Sequence, residues 1–311
     1  MGPTASGKTG VAVDLVRELP CEIISVDSAQ VYRNMDVGTA KPVAETLKSA
    51  PHHLIDIIEP DDNYSAARFR DDALTLMREI TERGNIPLLV GGTMMYFKTL
   101  LEGLSELPEA DPAIRMVIDT MAEEGGWPSV HRKLAQVDPE TAARLEPNDS
   151  QRVQRALEIY LITNKPMSVL LQKPKYVYFP YIPLKIALLP SDRSELHDRI
   201  ATRFEAMLEL GLIGELRKLR ADYALDIDMP SMRCVGYRQA WEYLDGKIGL
   251  ATLREQGIAA TRQLAKRQLT WLRAMKGVKD FDCLAENLSE QVLAHLREAL
   301  GVRGEAVKEQ D

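Results

Sequence analysis

The 311-residue chain has only three cysteines, Cys21, Cys234 and Cys283. None stands in a C-x-x-C pair, and the number is odd. A disulfide framework and a zinc ribbon are excluded, and a reducing cytoplasm is the expected home. Long apolar runs are lacking too. Nothing approaches the about eighteen apolar residues of a membrane span, so no membrane partner is expected. A basic-then-apolar leader is also absent, and no secretion signal is expected. There is no internal repeat and no low-complexity tract. Adjacent His52 and His53 could suggest a metal, but they sit in an apolar stretch ending at Asp56, which favours packing.

What remains is ordinary globular composition, 45% hydrophobic and 27% charged. That is enough apolar material for a sizeable core. The net charge of −7 counts mildly against a nucleic-acid binder. Distribution outweighs balance, however, because phosphate contacts need only a local basic stripe. Arg262, Lys266, Arg267, Arg273, Lys276 and Lys279 form one, with no acid from Arg262 through Lys279. Solvated helices normally intersperse acids.

Short apolar runs alternate with helical patterns in the first half, as in an α/β fold. Glu22 to Val26 reads as a strand ending at Asp27, and His53 to Ile58 as a second. Ala66 to Arg83 has helical periodicity and stops at Gly84. Ile86 to Val90 is a third strand before Gly91-Gly92, and Met94 to Leu101 reads as helix. From Asp111 the character changes. Asp111-Pro112, Trp127-Pro128, Asp138-Pro139 and Glu146-Pro147 punctuate short helices. Residues 112–182 read as a helical insertion ending around Pro174, Pro180 and Pro183. Lys185 to Leu189 returns the chain to the core sheet. Asp192 and Glu195 have capping-box spacing for the next helix. The rest reads as mainly helical, with a frayed tail after Gly301.

Gly2-Pro3-Thr4-Ala5-Ser6-Gly7-Lys8-Thr9 fits G-x-x-x-x-G-K-[ST]. Its glycines let backbone N–H groups surround phosphate oxygens at a helix N-terminus. Thr4, Ala5, Ser6 and Gly7 form that cradle, Lys8 adds a point charge, and the Thr9 hydroxyl is a candidate Mg2+ ligand. Such a loop follows a buried central strand, yet only Met1 precedes Gly2, so a strand upstream of Met1 is expected. A nucleotide hydrolase would end its Ile86–Val90 strand in an acid. Here Gly91-Gly92-Thr93 follows instead. The strand that does end in an acid is Ile23-Ile24-Ser25-Val26-Asp27. Its carboxylate lies at the strand end where α/β ligands bind. Arg199 and Arg203, four apart on one helical face, could grip a departing diphosphate. Arg203 is favoured.

The loop joins further segments: Asp27-Ser28-Ala29-Gln30-Val31-Tyr32, Met35-Asp36-Val37-Gly38-Thr39-Ala40-Lys41-Pro42, Pro51-His52-His53-Leu54-Ile55-Asp56 and Gly91-Gly92-Thr93-Met94-Met95-Tyr96. Asn148-Asp149-Ser150-Gln151-Arg152 and Lys266-Arg267-Gln268-Leu269-Thr270-Trp271 follow. In this order, from Gly2 to about Arg273, they closely resemble the bacterial tRNA dimethylallyltransferases. The resemblance implies a P-loop NTPase-like α/β core, a parallel sheet flanked by helices, over 1–111 and 183–311. The helical insertion of 112–182 would contact the tRNA anticodon arm. It implies dimethylallyl diphosphate as donor, Mg2+ as cofactor and the anticodon stem-loop of tRNA as partner. The acceptor would be N6 of the adenine 3′-adjacent to the anticodon, in tRNAs reading U-starting codons. A channel through the core would admit tRNA at one end and the diphosphate at the other.

Residue roles follow the same resemblance. Asp27 is the expected general base, because the exocyclic amine becomes acidic as its new C–N bond forms. Thr93 is expected near that amine or the diphosphate bridge, a donor for the departing oxygen, and it could also cap the helix from Met94. Ser28, Ala29 and Gln30 lie beside the base, where Gln30 could read an adenine edge. Gln151, Arg152, Val153, Gln154 and Arg155 are implied tRNA contacts. So are Arg115, Lys266, Arg267 and the run Met232, Arg233, Cys234, Val235, Gly236 and Tyr237. A prenyltransferase of free adenine nucleotides and a P-loop small-molecule kinase are the alternatives. A monomer is the default.

Overall fold

The computed structural model describes residues 1–105, 107–172 and 179–301. Pro174 and the tail after Gly301 lie outside them. Two compact units form, one from Met1–Leu100 together with the chain from Pro180 on, the other Leu101–Phe179.

In the first unit, α1 (Lys8–Glu18) leads into β1 (Cys21–Val26), α2 (Ala44–Ser49) and β2 (His52–His53). Then come α3 (Ala66–Glu82), β3 (Ile86–Gly91) and α4 (Met94–Glu102). β1 is central and parallel to both neighbours, in the order β2-β1-β3. Ile23, Ile24 and Val26 are fully buried, as a near-continuous apolar strand covered on both faces must be. The register runs from Cys21 opposite Ile86 to Val26 opposite Gly91. A parallel pair ends both strands on one side, so Asp27 and Thr93 emerge side by side.

Two strand expectations need correction. The run His53 to Ile58 does not continue as a strand. Leu54 (φ 63°) and Asp56 (φ 56°) are left-handed, which turns the chain, and Ile58 makes only an isolated bridge to Tyr32. The strand at Lys185 does not join the sheet of β1 either.

The second unit holds α5 (Pro112–Gly125), α6 (Trp127–Val137), α7 (Pro139–Ala142), α8 (Ser150–Thr163) and α9 (Met167–Leu171). Proline opens α5, α6 and α7, where its missing N–H costs nothing. Asp111 caps α5 through the amides of Ala113 and Ile114. Ile118, Val130, Leu134, Val153 and Leu157 form this unit's own core. Beside it, Glu158 has no exposed side-chain surface. It accepts from Arg115 Nε at 2.9 Å, Arg155 at 2.6 Å and the Asp111 amide at 2.9 Å.

The chain then returns through β4 (Lys185–Leu189), α10 (Arg193–Glu209), α11 (Leu212–Asp222), α12 (Tyr237–Leu244), α13 (Leu250–Ala274), β5 (Val278–Asp282) and α14 (Leu288–Leu300). β4 pairs in parallel with β5. On β4 the Leu188 amide also donates to Met1 O at 2.8 Å, and Met1 N donates to Ile186 O. The sequence reading missed β5 because Val278-Lys279-Asp280-Phe281-Asp282 carries three charges in five positions. The Asp192 cap is present on the Ser194 amide. Glu195, though, pairs with Arg199 at 3.0 Å instead of closing a capping box. The buried Leu196, Ile200, Ala265 and Leu269 lock α10 against α13. Among the described residues no helix is long and apolar enough to cross a membrane.

Burial alone pushes the Glu158 carboxyl up, but the hydrogen bonds from Arg115, Arg155 and the Asp111 amide outweigh it and hold the group below the ordinary glutamate range. Its contribution is therefore present above the unfolded value of about 4.3 and is lost as pH falls through the lower folded value. Glu158→Ala leaves two guanidinium groups without their shared partner and should cost about 3–5 kcal/mol. Urea denaturation followed on the second unit checks this, and the loss should shrink as pH falls below about 4.

Candidate functional site

The first unit holds a cavity of about 630 Å³ against the C-terminal ends of β1 and β3. Thr4, Ala5, Lys8 and Thr9 line one side of it. Ala5 (φ 63°) and Gly7 (φ 77°) are left-handed, the backbone form that turns successive amides toward one anion. α1 starts at Lys8, adding the positive end of a helix. Ser6 is buried, with its hydroxyl on Pro3 O at 2.8 Å. Its contribution to an anion is thereby restricted to the backbone. Lys8 Nζ donates to Pro3 O at 2.5 Å. Burial pushes the Lys8 ammonium down to about 8, against the pull of Asp27 and helped by Arg203.

Arg203 lines the same cavity from α10. Burial pushes its guanidinium below the ordinary range, partly offset by Asp27. It has no hydrogen-bond or ion-pair partner among the described residues. Arg199 is different: it is held by Glu195 and by Cys283 O at 3.2 Å. The structure thus separates the two candidate arginines, and only Arg203 is available to an anion.

Asp27 and Thr93 meet across the strand ends. Asp27 Oδ1 accepts from the amides of Ala29 at 2.9 Å and Gln30 at 3.3 Å. This turn fixes the carboxylate while Oδ2 has no partner among the described residues. Thr93 Oγ1 accepts from the Ser28 amide at 3.1 Å and donates a long bond to Ser28 Oγ at 3.4 Å. A hydroxyl that accepts from an amide keeps its own proton to give. The expected cap role for Thr93 is carried by its backbone carbonyl, which accepts from Tyr96 N and Phe97 N. Gln30 takes Ser25 Oγ at 3.3 Å and sits 3.5 Å from the carbonyls of Thr39 and Ala40.

Gly38, Thr39 and Ala40 form another wall. Glu215 holds that loop by accepting from the amides of Asp36, Val37 and Gly38 at 2.8–3.1 Å and from Tyr237 Oη at 2.5 Å. A Cβ at Gly38 would lie 2.5 Å from the Tyr237 ring, so glycine is required there by close approach. Tyr237 and Met232 are fully buried. Both were expected at the tRNA; the structure makes them interior supports instead. Arg233, Cys234 and Val235 between them do line the cavity. Burial, with Asp27 nearby, pushes the Cys234 thiol up to about 12, so it stays protonated.

The second unit's candidates divide similarly. Val153 is fully buried and cannot present a side chain to RNA. Arg115 and Arg155 are committed to Glu158. Gln154 binds Asp119 at 2.6 Å, and Arg152 pairs with Asp149 at 2.5 Å while remaining exposed. Gln151 is exposed. On α13, Lys266, Arg267 and Arg273 are exposed and have no ion pair among the described residues. Arg267 reaches the cavity.

Several lining residues escaped the sequence reading. His52 is on the wall, not merely packed. Its Nδ1 faces Ala50 O at 2.7 Å; a carbonyl only accepts, so Nδ1 carries the proton. Ile200, Phe204, Met207, Leu264 and Trp271 supply apolar surface. Their spacings, 200-204-207 and 264-271, were visible as helical faces but look like ordinary core. Gln268 was legible only as part of a motif.

Two outcomes follow for inorganic pyrophosphate, measured by calorimetry. Arg203→Ala should weaken binding about 10- to 100-fold, the loss of charge-assisted hydrogen bonds. Binding to the parent protein should weaken as pH rises through about 8, because the Lys8 proton that the bound anion favours is then lost.

Comparison with known proteins places this geometry. Residues 30–275 match the family described as IPP transferase. The chain is 60% identical over 296 residues to a tRNA dimethylallyltransferase of Nitrosospira multiformis, covering 95% of this chain and 92% of that protein. It is 60% identical over 302 residues to one from Thiobacillus denitrificans, covering 97% and 96%. The solved tRNA isopentenylpyrophosphate transferase of Bacillus halodurans matches with TM-score 0.69 and 37% identity, covering 96% of this chain and 93% of that one. A eukaryotic dimethylallyltransferase acting on tRNA matches with TM-score 0.80 and 26% identity, covering 99% and 80%. The α/β core, the phosphate loop and the identity across nearly the whole length agree, and the chain belongs to the IPP transferase family.

Proposed function

We propose that this protein is a tRNA dimethylallyltransferase that moves the dimethylallyl group of dimethylallyl diphosphate onto N6 of the adenine 3′-adjacent to the anticodon. The tRNAs concerned read codons beginning with U. The observation that carries the reading is one cavity in which Lys8 and Arg203 stand with Asp27 and Thr93. The donor's diphosphate lies on the Thr4–Thr9 loop with Arg203, and its five-carbon tail on the apolar faces of α10 and α13. The C1–O bond breaks as N6–C1 forms. The electron pair leaves with the diphosphate, whose charge Lys8, Arg203 and the loop amides take up. The N6 proton passes to Asp27. Thr93 keeps its proton and donates a hydrogen bond to the departing diphosphate oxygen. No transfer to water is needed.

Adenine reaches Asp27 only if it leaves its stack. Ser28, Ala29, Gln30, Arg233, Cys234 and Val235 line the space it enters. Lys266 and Arg267 meet the phosphates of the anticodon stem-loop, and the unit Leu101–Phe179 meets its arm through exposed groups such as Gln151 and Arg152.

Mg2+ fits this site in one way. No cluster of three or more His, Cys, Asp or Glu exists among the described residues that could hold a metal. Thr9 is the residue that would hold the ion, through its hydroxyl. When bound, it neutralises diphosphate charge.

Protein, dimethylallyl diphosphate, Mg2+ and unmodified tRNA with A-A at the anticodon boundary test the reading. AMP and ATP replace tRNA in parallel, and nucleoside mass spectrometry reads the products. One dimethylallyl addition on adenosine, only with tRNA, is expected. Addition to AMP would move the enzyme to free nucleotides. Asp27→Asn should lower transfer at least about 100-fold with tRNA affinity unchanged, and near-normal turnover would remove Asp27 from its role.

A further inference from the structure

We infer that Gln268 is a positioning residue that locks the donor's phosphate loop to the strand end carrying Thr93, so that the two halves of the reaction share one frame. This rests on the proposed transfer for its meaning but not for its geometry. Gln268 projects from α13 and is only 8% exposed. Its Oε1 accepts from the Thr4 amide at 2.8 Å, and its Nε2 donates to Gly92 O at 2.9 Å. Those partners lie 264 and 176 residues away in the chain. A buried primary amide with both ends satisfied this way can hold only one orientation.

The continuation matters. From Gly92 the chain passes directly to Thr93, whose amide donates to Val26 O at 3.2 Å. The Thr93 hydroxyl takes the Ser28 amide, and Ser28 follows Asp27. A single hydrogen-bonded path thus runs from Thr4 through Gln268 to the threonine and the carboxylate. Without Gln268, no hydrogen bond among the described residues joins the Thr4 backbone to the Gly91-Gly92-Thr93 turn. Thr4 also spends its amide on the tether and Ser6 N turns to Pro3 O at 3.4 Å, which leaves the amides of Ala5, Gly7 and Lys8 for the anion.

The closeness of the tether explains a residue that the motif alone does not. A Cβ at Gly92 would lie 2.3 Å from Gln268 Nε2 and 3.2 Å from Gly2 O. Gly92 has no positive φ, so backbone freedom is not the reason for glycine. Room for the amide is. Gly92 and Gln268 should therefore be coupled energetically, and a double-mutant cycle measures that coupling.

Gln268→Ala, Gly92→Ala and the double variant are compared with the parent. Rates are normalised to sites titrated with inorganic pyrophosphate, which removes any misfolded fraction. Each single change should lower kcat about 10- to 100-fold, the cost of misplacing reacting groups by about an ångström, with the KM for tRNA unchanged. The double variant should be no slower than the slower single, since the methyl then occupies the space that the amide vacated. Gln268→Glu keeps the acceptor for Thr4 but sets an oxygen against Gly92 O, and should stay slow. The cycle is also read on pyrophosphate affinity, which requires no transfer: Gly92→Ala should weaken binding in the parent and not further in Gln268→Ala. Losses that multiply in the double variant on both readouts, or a parent-like kcat in Gln268→Ala, would overturn the inference. A parent that binds pyrophosphate with the expected coupling but transfers nothing would sink the proposed function alone.

Discussion

The pairing of Lys8 with Arg203 in one cavity is the constraint on which the site depends. Lys8 and Arg203 reach it from different elements, α1 and α10. Burial weakens the charged state of both. Asp27 is the nearby carboxylate that pulls each the other way, and it makes a hydrogen-bonded pair with neither. Such a site is incomplete without an anion of more than one charge. The diphosphate of the proposed donor would supply it, and in doing so become a better leaving group. The same field that binds the donor therefore favours its cleavage, provided an acceptor stands in line.

The acceptor's position follows from strand pairing. Parallel register puts Val26 opposite Gly91, so the next residues of both strands face one space. Crossovers through helices are obligatory between parallel strands, which explains why groups so distant in sequence converge. α13 then acts on both halves. Its buried face carries Gln268 to the two loops and Leu269 to α10, while its exposed face carries Lys266, Arg267 and Arg273. In the proposed function one helix thus supports the chemistry and presents positive charge to the RNA, despite the net charge of −7.

Much of this was readable in the chain. The phosphate loop, the acid after Val26, the glycine pair after Val90 and the acid-free basic stretch are local features, and local features survive folding. Arg199 is held by Glu195, one turn before it, a pairing visible as i,i+4 spacing in the sequence, while Arg203 lines the cavity. What was not readable was direction and depth. Val153, Met232 and Tyr237 lie inside recognisable motifs yet are fully buried, because a local motif does not say which of its side chains the neighbouring elements will cover. Arg115 and Arg155 were expected at the tRNA, and their commitment to Glu158 depends on helix packing. The charged strand Val278–Asp282 was invisible because its pairing is set by β4, not by its own composition. Gln268 was the largest omission: a single buried amide has no signature until both its partners are in place.

The linkage of bond-breaking to bond-making tests the central claim most directly. Donor labelled at C1 would be followed for diphosphate release and adenosine alkylation in a single turnover, with and without tRNA. The expected result is one diphosphate per alkylated adenosine and no release without tRNA. Release at an undiminished rate without tRNA would contradict it, because the cavity would then be cleaving the donor toward water instead of holding it for the amine.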